Sequence, residues 1–98
     1  MSEWAFAQKN PSEQLCKLHH FAIKKQQTEG DVEFVITVRE FVTAPDACMR
    51  FLAQADKQTN QRTAPFTPSG WGNSLFAALE ECIRAIQRFP YEGPDGVK

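Results

Sequence analysis

The sequence predicts an α+β domain in which an antiparallel β-hairpin, with room for a short third edge strand, packs against two α-helices in the order β-β-α-(β)-α. Three observations lead there. Val32, Phe34, Ile36 and Val38 alternate with Glu33, Val35, Thr37 and Arg39, the period of a strand with one buried face. Leu75, Leu79, Cys82, Ile83, Ile86 and Phe89 recur at steps of three or four, the period of a helix with one buried face. Between Leu15–Gln27 and Asp31–Val42, the residues Thr28, Glu29 and Gly30 supply turn chemistry.

The hairpin register follows from its faces. A two-residue loop at Glu29-Gly30 sets Phe21 opposite Val38, Ile23 opposite Ile36 and His19 opposite Glu40. A three-residue loop would turn every side chain of one strand to the other face, so the even loop is favoured. After the hairpin, Thr43 is a helix cap, Pro45 suits a first turn, and Asp46 favours the positive end of a helix dipole. Cys48, Phe51, Leu52 and Ala55 continue at helical spacing to about Gln58.

Residues 59–72, TNQRTAPFTPSGWG, are irregular, and their prolines confine any strand over 63–67 to a sheet edge. The second helix spans Trp71 to Phe89, with Asn73 or Ser74 as its cap and Pro90 as its stop. The 98 residues allow one core and not two. Residues 1–14 are expected to be a flexible segment, 15–90 the domain and 91–98 a flexible tail. A two-stranded sheet is marginal alone, and the long second strand lies open to pairing, so the sequence points to a homodimer.

Composition narrows the function. Eleven basic and twelve acidic residues leave a net charge of −1, so no global field steers the chain to nucleic acid or anionic lipid. No apolar run reaches the roughly 18 residues of a membrane span, and no basic-then-apolar leader opens the sequence. The expected location is the cytoplasm. Cys16, Cys48 and Cys82 are odd in number and widely spaced, which reads as free thiols and not a disulfide or metal framework.

His19 and His20 point to opposite faces of a strand and cannot chelate one ion. His19 is expected to pair with Glu40 across the hairpin. Neither histidine has a nucleophile placed beside it, and Glu80 with Arg84 is a surface salt pair. The glycines of Ser69-Gly70-Trp71-Gly72 match no phosphate-binding pattern. No catalytic group, cofactor or metal is therefore expected.

The leading expectation is a non-catalytic protein-protein interaction module, an accessory or regulatory subunit, with Arg62, Phe66, Trp71 and Tyr91 as partner-binding residues. All four lie in irregular segments flanking the helix, and aromatic and arginine side chains anchor interfaces. The alternative is weak nucleic-acid binding through Lys17, Lys24, Lys25 and Arg39, with aromatics of the 59–72 loop stacking on bases.

Overall fold

A computed structural model describes residues 3–10, 12–28, 30–43 and 49–92. Its core is a four-stranded antiparallel meander, β1 (Cys16–Gln27), β2 (Gly30–Phe41), β3 (Phe51–Ala55) and β4 (Ser69–Gly72), followed by one helix, α1 (Leu75–Arg88). The fold is α+β, as the sequence implies. The described elements run β-β-β-β-α, with one helix on the sheet in place of two.

The hairpin forms with its expected faces and a register two residues away from the expected one. Phe21 stands opposite Ile36 and Ile23 opposite Phe34, and Gln27 pairs with Gly30. A slip of two leaves each side chain on its own face, so alternation alone cannot resolve it. Gly30 opens β2 at φ +131°, a backbone that side-chain-bearing residues rarely adopt.

The expected first helix is corrected to strand β3. Phe51, Leu52 and Ala55 fit a helical step, yet Phe51, Ala53 and Ala55 also fit alternation, and these are the buried ones. Five residues are too few for periodicity to decide. The unpaired edge of β2 decides instead, since β3 occupies it from Ile36 to Glu40. The proposed helix start over residues 44–48 lies outside the described residues.

The strand expected over 63–67 does not form, and the strand that does lies at 69–72. Pro65 and Pro68 stay outside it, and Phe66 instead makes an isolated bridge to Thr59. The helix is shorter than expected at its start, because Trp71 belongs to β4. Ser74 is the cap, its hydroxyl accepting from Ala77 N at 3.1 Å.

Within the chain, β1 is one edge, β4 the other, and β2 is central. The sheet is thus completed without a second subunit, which removes the reason the sequence offered for a homodimer.

The inner face carries Phe34, Ile36, Val38, Phe51, Ala53 and Ala55 against Ala78, Cys82 and Ile86 of α1. Gly70 and Gly72 of β4 also point inward and let the helix lie directly on that strand. A Cβ on Gly70 would stand 2.8 Å from the Ala78 carbonyl oxygen, and one on Gly72 2.6 Å from Ala78 N. The helix covers β4, β3 and part of β2 and leaves β1 uncovered, so Phe21 and Ile23 are half-buried. Near the N-terminus Glu3–Ala7 form a 3-10 turn, with Ala5 buried, Trp4 half-buried and Phe6 exposed.

Candidate interaction surface on the open face of the sheet

The outer face of the sheet is built by the residues that alternate with the core. The registers of three strand pairs place Leu18, Arg39, Leu52 and Trp71 in one row across all four strands. With strands about 4.8 Å apart, the row spans roughly 15 Å. Leu18 is 46% exposed and Trp71 45%. Phe41 adds to the row from the next position, its ring stacked on Trp71 with centroids 6.3 Å apart and planes at 24°. Val35 is exposed further along β2.

Arg39 is the cation set among these apolar groups. Its one hydrogen bond among the described residues goes from Nη1 to Cys16 Sγ at 3.9 Å, and no carboxylate there pairs with it. A guanidinium flanked by Leu18 and Leu52, with Trp71 beyond Leu52, can accept both apolar and carboxylate contacts from another molecule. His20 Nδ1 is engaged with Thr37 Oγ1 at 3.2 Å.

The other expected partner-binding residues lie at the far end of α1, some 21 Å along the helix axis from its start. There, Lys25, Gln27, Arg62, Arg88, Tyr91 and Glu92 line an open cleft of about 530 Å³. Its groups are occupied in holding the chain. Tyr91 N donates to Gln27 Oε1 at 2.8 Å, and Gln27 Nε2 returns a bond to Tyr91 O at 3.1 Å. Arg62 N donates to Glu92 Oε1 at 2.6 Å. Tyr91 also meets Phe34 edge-on at 6.0 Å, and Phe66 meets Phe89 edge-on at 5.8 Å. The structure therefore divides the four residues: Arg62, Phe66 and Tyr91 close the helix C-terminal end, and Trp71 stands apart on the sheet face.

The four cations of the nucleic-acid alternative are divided as well. Lys17 and Lys25 point to the inner face, and Lys24 and Arg39 to the outer one. Lys25 is committed to the helix, with Nζ donating to Ile86 O at 2.9 Å and Phe89 O at 2.7 Å. Burial there lowers its pKa below the usual 10.5. Lys17 and Lys24 stand opposite Glu40 and Glu33 in the hairpin.

His19 reaches Glu40 at 3.0 Å along a diagonal, since Val38 is its direct partner. Cys82 is buried with Sγ 3.6 Å from Pro68 O, and burial pushes its thiol up to about 11, away from nucleophilic use. Cys16 is half-buried, and Cys48 lies outside the described residues. Among the described residues no three His, Cys, Asp or Glu side chains gather as a metal site requires. No described helix is long and apolar enough to cross a membrane.

Sequence reasoning overlooked Leu18 and Leu52, and with them the row. The signal lay in the pairing of β3, which a helical reading of residues 51–55 conceals. Comparisons with family models, curated proteins and solved structures return no match to this chain.

Proposed function

We propose that this chain is a non-catalytic protein-interaction module that works through the outer face of its sheet, and that its first partner is a second copy of itself. The observation that carries the reading is the outer-face row Leu18–Arg39–Leu52–Trp71, exposed at Leu18 and Trp71 and half-buried at Leu52, with Phe41 stacked on its end. Aromatic and arginine groups ringed by aliphatic ones are the composition of an interface centre.

Self-association has a charge argument of its own. Glu33 lies on the same outer face of β2 as Arg39, six positions away, or about 20 Å. Two hairpins stacked antiparallel about a two-fold axis at the level of Ile36 set Arg39 of each copy over Glu33 of the other, Leu18 over Lys24, and the exposed Val35 close to the axis. A dimer of this kind suits an accessory or regulatory subunit, because the helix surface and the edge of β1 stay free in both copies.

Charge reversal tests the reading. Arg39→Glu should abolish self-association seen by sedimentation, and the double variant Arg39→Glu/Glu33→Arg should restore it. A single variant that associates like the wild type would remove the proposed contact.

A further inference from the structure

Among the described strands the edge of β1 is the longest unpaired backbone, at 12 residues against four in β4. Which of its groups are free follows from one bond. Val42 N donates to Leu15 O at 3.2 Å, so odd-numbered positions of β1 exchange bonds with β2 and even-numbered ones face outward. The N–H and C=O groups of Leu18, His20, Ala22 and Lys24 therefore point at open space, and none has a hydrogen-bond partner among the described residues.

Two further properties describe what fits there. Across Cys16–Gln27 the strand carries Lys17, His19, His20, Lys24 and Lys25 and no Asp or Glu; the acids of the two paired strands all sit on β2. On the inner side, Phe21 and Ile23 are half-exposed because α1 lies over the other strands, and Leu79 and Ile83 flank the same cluster. On the outer side, His20 and Lys24 are exposed.

We infer that the edge of β1 is a docking site for an extended acidic segment of another protein, which adds to the sheet as a fifth strand. Main-chain bonds to Leu18, His20, Ala22 and Lys24 hold it. Its apolar side chains alternate inward beside Phe21 and Ile23, and its carboxylates alternate outward beside His20 and Lys24. A second copy of β1 brings no carboxylate to this edge in any register, and with Phe21 on a two-fold axis Lys17 would meet Lys25 and Leu18 would meet Lys24. Self-association rests on the Arg39 and Glu33 side chains and strand addition on the main chain of β1, and the two are read by different measurements, so either can fail without the other.

The test is fluorescence anisotropy with a labelled peptide of about ten residues alternating Val and Glu, the length that matches an added strand. The whole chain should bind it, more weakly as salt rises, and should not bind the peptide with Lys in place of Glu. Ala22→Pro removes an outward N–H without touching the β2 ladder, and Lys24→Gln removes the outward cation. Each should weaken binding by about tenfold, the effect of one hydrogen bond or charge contact. Circular dichroism checks folding, and Lys24→Gln carries the test if the proline variant does not fold. Trp71→Ala should leave peptide affinity unchanged. Failure of the Val/Glu peptide to bind, equal binding of the Val/Lys peptide, or full affinity in both folded variants would overturn the inference.

Discussion

The ammonium of Lys25, on strand β1, donates to the carbonyl oxygen of Phe89 at 2.7 Å, 64 positions later in the chain. It also takes the Ile86 carbonyl, so one strand side chain satisfies two of the acceptors that a helix leaves open at its C-terminus. The bond ties the first strand to the last turn of the helix, at the end where α1 would otherwise stand away from β1.

Lys25→Met keeps the apolar stem and removes the donor. Unfolding in urea should show a loss of about 1–2 kcal/mol, the combined scale of a charged hydrogen bond and a favourable charge at a helix C-terminus. An unchanged midpoint would mean that desolvation of the ammonium cancels both gains.

Gly70→Ala tests the contact between β4 and α1. The new methyl would lie 2.5 Å from Glu81 Cβ and 2.8 Å from Cys82 N, so backbone has to move. A destabilisation of about 3 kcal/mol is expected by thermal melting, the upper range for overpacking. Trp71→Ala, one residue on and facing outward, should cost less.

Thr59 is fully buried, and its hydroxyl has no hydrogen-bond partner among the described residues. Thr59→Val replaces the hydroxyl by a methyl of similar shape and should raise stability by about 1 kcal/mol. A fall of the same size would show that the hydroxyl is satisfied in solution.

Cys82 gives the fold an alkaline limit. Its folded-state value of about 11 stands above the ordinary 9.0, so its contribution is complete below pH 9.0 and is lost as pH rises to 11, where the unfolded thiol has already ionised. Lys25, lowered by burial, acts with the opposite sign just below 10.5. Comparison with Cys82→Ala isolates the thiol: the stability advantage of the wild type should shrink between pH 9.0 and 11, measured by urea midpoints. A constant difference would show that the thiol is not desolvated.

The parts of the fold that local pattern determines were readable from the residues. Alternation in the hairpin fixed which side chains share a face, and Ser74 and Pro90 marked the helix correctly. What escaped was what pairing decides. The two-residue register shift keeps every face intact, and the five residues Phe51–Ala55 carry a helical and an alternating pattern at once. Gly70 and Gly72 look like loop glycines until the helix is laid on them, so Trp71 read as a helix start when it is an outward strand residue. Of the site, Trp71 and Arg39 stood out as residue types. Their neighbours Leu18 and Leu52 became visible only through the strand order.

The central claim is that the outer face joins two copies. Sedimentation equilibrium of the wild type and of Val35→Glu, which places a carboxylate on the exposed outer face of β2 between Glu33 and Arg39, tests it most directly. The account predicts that the wild type is dimeric at about 100 µM, a concentration suited to a modest interface, and that the folded variant is monomeric there. A wild type that stays monomeric at that concentration, or a variant that dimerises equally well, would contradict it.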